Sequence, residues 1–513
     1  MAQQFPDRVA VVDDSSSITY RELIAQAWAV ASGLIRRGIR PGDPAVMQSG
    51  NTVQTIVALY GLILAGAVPV CALPQHREKE ISDLIALTRA RVHVAQADWP
   101  RADLAALAVT MRERHDHLEV VLAVRGRIDG GVALEELVNE PIGALPELNS
   151  EGLALLQLSG GTTGTPKLIP RLHCDYVCNA RTWGAFWGWD ERVVSMHVLP
   201  IMHNAGLVLS LVASHMVGGT AVLAPRVDPA VMAKLIEQER VSDMVINATV
   251  AFRMLESPEF RAADTSSLRR VCVGPQNVEH AKRFEEELGL RALGVFGMGE
   301  GLIMATPWNA TAELRRNTVG VPIHPLDEVR LVDENCNEVA TGEVGELTTR
   351  GPYTILGYYD AETYNAGALT PDGFFRTGDL ARATEVDGRV YYAIEGRIKD
   401  NIDRGGEKIN ADEIESQLSA HPAVVSAAIV AMPDPELGEK VCAYIVARGG
   451  QPTPTVETIA TYLLEQGLAK FKLPERVELV TELPLTPVGK VAKKQLRADI
   501  TAKLEAQRWE AKS

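Results

Sequence analysis

Apolar residues recur at three- and four-residue spacing from Arg21 to Arg37, directly after the short run Ile18-Thr19-Tyr20. That spacing predicts a helix with one apolar face, and the preceding run predicts a strand end and a turn. Gly38 is the expected helix stop, because glycine reaches the left-handed conformation that closes helices. Ala45-Val46-Met47 then predicts a strand and Val53 to Ala65 a helix. The stretch Val53 to Leu73 is apolar over nearly a membrane span, but Gln54, Thr55, Gly61, Gly66 and Pro69 interrupt it. A buried helix, a glycine turn and a strand at Val68–Ala72 are the better reading. Repeated βα alternation predicts parallel sheets covered by helices. Glu343 to Arg350 and Phe374 to Arg382 predict strands with Gly- and Asp-rich turns, a more irregular β subdomain. At Glu395 to Asn401 the texture turns polar. A helix over 411–420, strands over 424–431 and 441–447, a helix over 455–467 and a strand over 476–480 follow. The expected fold class is α/β: a large N-terminal domain of helix-covered sheets plus a β subdomain at 1–396, and a small α+β C-terminal domain at 397–513.

Length supports that division, because 513 residues exceed what one hydrophobic core holds. Charge narrows the partners. With 51 basic against 66 acidic residues the net charge is −15, which disfavours general nucleic-acid binding. Cys71, Cys174, Cys178, Cys272, Cys336 and Cys442 are scattered and suggest no disulfide framework. The stretch His173-Cys174-Asp175-Tyr176-Val177-Cys178 lacks a second Cys/His pair at zinc spacing, so ordinary thiols are expected. The N-terminus has no basic segment followed by an apolar one, so no signal peptide is expected. The expected compartment is the cytoplasm, with no membrane partner.

Residues 158–171 read L-S-G-G-T-T-G-T-P-K-L-I-P-R. A Walker A loop would place Lys-Ser/Thr at the start of a helix. Here Pro166 precedes Lys167, and Leu168-Ile169-Pro170 predicts a strand. The composition nevertheless suits polyphosphate. Glycines let backbone N–H groups approach, the hydroxyls of Ser159, Thr162, Thr163 and Thr165 donate, and Lys167 supplies charge. A plain hairpin turn is the alternative that composition leaves open.

The loop has company. Phe296-Gly297-Met298-Gly299-Glu300, Phe374-Phe375-Arg376-Thr377-Gly378-Asp379, Gly396-Arg397-Ile398-Lys399-Asp400, Arg404-Gly405-Gly406-Glu407-Lys408-Ile409 and Pro487-Val488-Gly489-Lys490 follow in order. Together with Tyr20-Arg21-Glu22-Leu23 and Ala65-Gly66-Ala67, the set resembles the acyl-adenylate-forming superfamily. The resemblance implies ATP and Mg2+ as cofactors and a small C-terminal domain that moves. It implies ATP contacts from Ser159, Gly160, Gly161, Thr162, Thr163, Gly164, Lys167, Gly274, Phe296, Gly297, Met298, Asp379 and Arg397. Asp379 would hold the ribose hydroxyls, and Glu300 would hold the metal. Lys490, His203 and Glu300 would be catalytic, with Lys490 bridging the substrate carboxylate and the phosphate. Its neighbours Lys493 and Lys494 are expected to be solvated. Lys399 would be the hinge. Gly405 and Gly406 would line a tunnel for a phosphopantetheine thiol after the domain turns.

Leu199-Pro200-Ile201-Met202-His203-Asn204 is similar to the aryl-acid branch, the stand-alone ligases for 2,3-dihydroxybenzoate and salicylate. Amino-acid-activating relatives carry Asp where Asn204 stands. A buried ammonium without that carboxylate is disfavoured, whereas the neutral amide can hydrogen-bond an ortho hydroxyl or a ring nitrogen. His203, Asn204, Ala205, Leu209, Gly274, Pro275, Gly299 and Ile303 are the candidate acid-binding residues. Four positions depart from the dihydroxybenzoate pattern. Ala205 replaces tyrosine, Leu209 replaces serine, Gly299 replaces alanine, and Gly274-Pro275-Gln276-Asn277 replaces Gly-Gly-Ala-Lys. Two of these changes enlarge the pocket, so a larger acid is expected: ortho-hydroxylated or heteroaromatic, bicyclic in the manner of a hydroxyquinaldate. Salicylate, 2,3-dihydroxybenzoate and anthranilate-type acids remain alternatives, as does filling of the space by Met202, Met304 or Trp308.

No carrier-protein segment or phosphopantetheine attachment site is visible, so a separate aryl carrier protein in siderophore or peptide-antibiotic assembly is the expected acceptor, with coenzyme A second. A nucleotide-binding regulator without chemistry is the rival class. Lys490, Glu300, Asp379 and Lys167 together argue against it.

Overall fold

The structure, a computed structural model, describes residues 1–159, 167–274, 278–404, 407–435, 437–486 and 489–510. Gly160, Gly161, Thr162, Thr163, Gly164, Pro275, Gly405 and Gly406 lie outside the described residues, and Lys399 is described by its backbone alone.

The first helix runs Tyr20–Arg36, started by a capping box in which Thr19 and Glu22 satisfy each other's backbone N–H groups. The apolar stretch resolves into a helix at Val53–Leu64, capped by Thr52, and a fully buried strand at Val68–Ala72. Among the described residues no helix is long and apolar enough to cross a membrane.

Two large sheets form the N-terminal part. One has seven strands, parallel except at the edge where Leu153–Leu158 pairs antiparallel with Leu168–Leu172. Residues 159–167 join those two strands at the sheet edge. The other sheet has nine strands, and its centre is parallel: Val194–His197, Asp243–Ile246, Arg270–Val273 and Ala292–Gly297. The carboxyl ends of these strands lead directly into the His203 loop, Asn247, Gly274 and Met298. Ligands of open α/β sheets bind at such ends, so parallel topology alone gathers four candidate segments. Buried aliphatic side chains from both sheets form one continuous core with Tyr176, Met202, Leu209 and Ile303.

A four-stranded antiparallel sheet follows, with strands Glu328–Val332, Val344–Arg350, Phe375–Val386 and Arg389–Arg397. Its register sets Asp379 directly opposite Arg397. The last sheet has five strands within 402–479, packed against helices Ala411–Leu418 and Val456–Glu465 over a separate core. The helix Lys493–Glu510 covers its other face.

One expectation is overturned here. Lys493 is not a solvated lysine: its side chain is only 13% exposed and pairs with Asp412 at 3.0 Å and Glu415 at 2.9 Å. Burial works against its charge, but the two carboxylates outweigh that and raise its pKa. Lys494 is exposed, as expected.

Candidate active site

The wall around Asn204 is built on regular elements. Leu172 leads into helix His173–Trp187, whose one face buries Tyr176, Asn179 and Ala180. The Tyr176 hydroxyl donates to the Asn204 Oδ1 at 2.7 Å and accepts from Gln157 Nε2 at 3.0 Å. Burial pushes the phenol pKa well above its ordinary value, so Tyr176 stays protonated. Sequence reasoning missed both Tyr176 and Gln157. Their signal is faint: each is one polar residue inside an otherwise apolar face.

His203 is buried. Its Nδ1 accepts the Ala205 backbone N–H at 3.3 Å, which leaves Nε2 to carry the proton. Burial, with the Lys490 charge adding to it, pushes its pKa down to about 4. The imidazole is therefore neutral and a donor at neutral pH. After Ala205 the chain winds as a π-helix over Gly206–Val212, and Leu209 is buried within it. π-Turns inside helices often mark functional sites.

Gly299 does not open the pocket. A Cβ built there would lie 2.7 Å from the Cδ1 of Ile169, so that side chain occupies the space. Of the proposed fillers, Met202 and Met304 are buried in two different cores, and Trp308 lies out at 46% exposure under Arg291. The enlargement expected from sequence therefore rests on Ala205. Ile303 is buried in the shared core, and Gly274 donates its N–H to the Ile246 carbonyl at 3.0 Å.

The wall around Lys167, Glu300 and Asp379 is charged. The Ser159 and Lys167 backbones close the base of the glycine-rich loop: Ser159 N–H donates to the Lys167 carbonyl at 2.9 Å, and Lys167 N–H to Ser159 Oγ at 3.1 Å. The Lys167 ammonium sits 4.0 Å from the Tyr358 ring centroid and 4.7 Å from that of Tyr364. Partial burial lowers its pKa against the pull of Glu300. The Tyr358 hydroxyl donates to Glu300 Oε1 at 3.0 Å. Neither tyrosine was given a role from the sequence. Asp379, 4% exposed, takes an ion pair from Arg397 Nε at 2.8 Å. Burial raises its pKa, while Arg397 and then Lys490 pull it back. Phe296 is buried with Leu302, Met304 and Leu331, so its ring serves the core; Gly297 and Met298 hold the open part of that turn.

The lysine loop of the C-terminal part reaches this site. Thr249 Oγ1, in the first turn of helix Ala248–Glu256, donates to the Gly489 carbonyl at 3.1 Å. Gly489 has φ of +77°, and a side chain there would press on Asn247 Nδ2 at 3.3 Å. Glycine meets both demands. The Lys490 N–H donates to Thr486 Oγ1 at 3.1 Å, and the Lys490 charge is felt at both His203 and Asp379. His203 and Asp379 thus share one cation.

Among the described residues no three His, Cys, Asp or Glu gather into a metal cage. Glu300 offers one carboxylate within electrostatic reach of Lys167. That donor set fits Mg2+, which is usually held by one or two carboxylates together with substrate phosphates and waters.

Comparison with known proteins agrees with this geometry. The AMP-binding enzyme family matches residues 1–359, and the AMP-binding enzyme C-terminal domain matches residues 413–490. A 2,3-dihydroxybenzoate-AMP ligase of Bacillus subtilis is 40% identical over 511 residues, covering 98% of this chain and 93% of that protein. A 2-hydroxy-7-methoxy-5-methyl-1-naphthoate–CoA ligase of Streptomyces carzinostaticus is 36% identical over 516 residues, covering 97% and 91%. The apo structure of MbtA from Mycobacterium smegmatis superposes with a TM-score of 0.73 at 36% identity, covering 97% of this chain and 93% of that one. The chain belongs to the AMP-binding enzymes, the acyl-adenylate-forming superfamily.

Proposed function

We propose that this enzyme activates an aryl carboxylic acid with ATP and passes the acyl group to a phosphopantetheine thiol. The observation that carries the acid class is Asn204, a neutral amide held by Tyr176 beside the neutral His203. An α-amino acid would bring a buried ammonium to that amide without a carboxylate, at a cost of several kcal/mol.

In the first half-reaction a carboxylate oxygen attacks the α-phosphate of ATP, an aryl-adenylate forms, and pyrophosphate leaves. Both reactants are anionic, so most of the catalysis is positioning and charge stabilisation. Lys490 supplies the cation between them. The neutral His203 offers its Nε2–H to a carboxylate or phosphate oxygen without adding a second charge. Lys167, with the backbone and hydroxyls of 159–165, binds the β- and γ-phosphates. Asp379 accepts from the ribose hydroxyls, and Arg397 keeps it ionised. Glu300 would hold Mg2+, which neutralises phosphate charge when bound. In the second half-reaction the thiol sulfur attacks the acyl carbon, and AMP leaves.

The domain boundary belongs at 396/397 and the hinge at Lys399, within the short 3₁₀ turn Ile398–Asp400. A rotation there would withdraw Lys490 and present the segment around Gly405 and Gly406. The acid is ortho-hydroxylated or heteroaromatic, and Ala205 favours a bicyclic ring. The naphthoate ligase is a relative named for such an acid. The acceptor is a separate aryl carrier protein of siderophore or peptide assembly. Coenzyme A is the second reading, favoured by the name of that same relative.

The test is acid-dependent exchange of labelled pyrophosphate into ATP, over monocyclic aryl, bicyclic heteroaryl and amino acids. Exchange with aryl acids and not amino acids is expected. Silence with all aryl acids, in a protein that binds ATP, would overturn the reading. Transfer to a carrier protein and to coenzyme A, compared at equal concentration, separates the two acceptors.

A further inference from the structure

Resting on the aryl-acid reading, we propose that Tyr176 and Gln157 are positioning residues that lock Asn204 as a donor, so the site selects aryl acids bearing an ortho hydrogen-bond acceptor.

An asparagine amide has two faces of opposite character. Its oxygen accepts, and its nitrogen donates twice. Which one meets the ligand depends on what holds the other. Here Oδ1 of Asn204 is taken by the Tyr176 hydroxyl at 2.7 Å. The hydroxyl proton has only one use at a time. Gln157 Nε2 donates to the same phenolic oxygen at 3.0 Å, which directs the Tyr176 proton to Asn204. Gln157, Tyr176 and Asn204 are all buried, 3%, 6% and 9% exposed, so water competes weakly for these bonds. Three elements hold the chain of donors in place. Gln157 is fixed in the strand Leu153–Leu158, Tyr176 in the helix His173–Trp187, and Asn204 in the turn before the π-helix. The guanidinium of Arg171, itself fully buried, lies 5.2 Å from the Tyr176 ring and limits its swing.

The amide nitrogen of Asn204 is the group that remains for a ligand. A ring nitrogen adjacent to the carboxylate can accept from it. So can an ortho hydroxyl oxygen, whose own proton turns to the neighbouring carboxylate. An ortho amine presents N–H groups instead and meets a donor with a donor. A site that hydrogen-bonds one substrate group discriminates against analogues that leave it unpaired.

The experiment uses matched acids in the pyrophosphate-exchange assay. Quinaldate against 2-naphthoate, and picolinate against benzoate, differ only by ring nitrogen for C–H. Salicylate against anthranilate exchanges acceptor for donor. The wild-type enzyme is expected to favour the acceptor member of every pair that it uses, by about tenfold in kcat/KM. Tyr176→Phe is expected to bring those ratios toward one, through KM more than kcat. Gln157→Met is expected to shift them in the same direction by less, and it tests the chain if Tyr176→Phe does not fold. Equal losses on both members of each pair would mean that Tyr176 only packs, and would overturn the proposal. So would a wild-type preference for anthranilate over salicylate. Activity with aryl acids without any pairwise discrimination defeats this inference alone. Inactivity with all of them defeats the aryl-acid reading beneath it.

Discussion

The proposed acid-side and nucleotide-side walls of the site are built on opposite plans. The acid side presents neutral groups and is largely buried, and it stands on the helix His173–Trp187, the π-helix and two strands. Tyr176, Asn204, His203 and Leu209 carry no net charge there at neutral pH. The nucleotide side is charged: Lys167 and Glu300 stand in turns, and Asp379 and Arg397 face each other on paired strands of the four-stranded sheet. Each plan suits its ligand. A polyphosphate is recognised by charge and needs little shape. An aromatic ring is recognised by shape and a few oriented dipoles, which only a packed scaffold holds still. Lys490 belongs to neither wall and is delivered between them.

That division can be broken experimentally. The largest effect is expected from Lys490→Ala, which removes the shared cation. Adenylation should fall roughly 10²–10³-fold, with ATP and acid binding largely retained. An unchanged adenylation rate would remove Lys490 from the chemistry. Next is Lys493→Met, which strands two carboxylates that lost their partner. It should cost about 3 kcal/mol of folding free energy, read by chemical denaturation. The comparison sharpens with Asp379→Asn, expected to raise the KM for ATP about tenfold while leaving the KM for the acid alone. A matching rise in the acid KM would mean that the two walls are coupled. Ala205→Tyr acts on the other wall. It should reduce use of bicyclic acids by several-fold relative to monocyclic ones and leave the ATP KM unchanged.

The smallest change near neutrality concerns stability. Burial pushes the pKa of His93, His203 and His215 down to about 4, and that of His197 to about 3. Unfolded histidine titrates near 6.5. Between those values the unfolded chain binds more protons, so stability is complete above pH 6.5 and falls as pH drops toward 4. Asp327, raised to about 6 by burial, Glu415, raised to about 7, and Asp379, also raised, work the opposite way over part of that window. Four histidines against three carboxylates set the direction. Denaturation midpoints at pH 7.5, 5.5 and 4.5 should fall in that order.

Much of this was legible in the sequence. Every element inspected there exists, the Phe374 strand merely running on to Val386 and the helix over 411–420 ending at Leu418. The segments carrying Lys167, Glu300 and Asp379 stood out in the sequence because their motifs are short and contiguous. The acid wall stood out less. Tyr176 and Asn204 are separated by 28 residues, and their hydrogen bond depends on how a helix packs against a turn. Gly299 misled for a similar reason: a missing methyl reads as space, but Ile169 from a neighbouring strand fills it. Lys493 misled because nothing local announces that Asp412 and Glu415 wait across the fold. Spacing reports what one element does. It does not report what comes to meet it.

The π-helix at Gly206–Val212 has an evolutionary consequence. Wider winding holds one more residue per turn than an α-helix would. Deleting a single residue there would let the segment tighten to α-helical winding, shifting the side chains within it by one position while the flanking strand and helix kept their places. A different residue would then take the place of Leu209. The segment behaves as a combination dial: one small insertion or deletion resets which side chain lines the pocket, without disturbing the machinery that handles ATP.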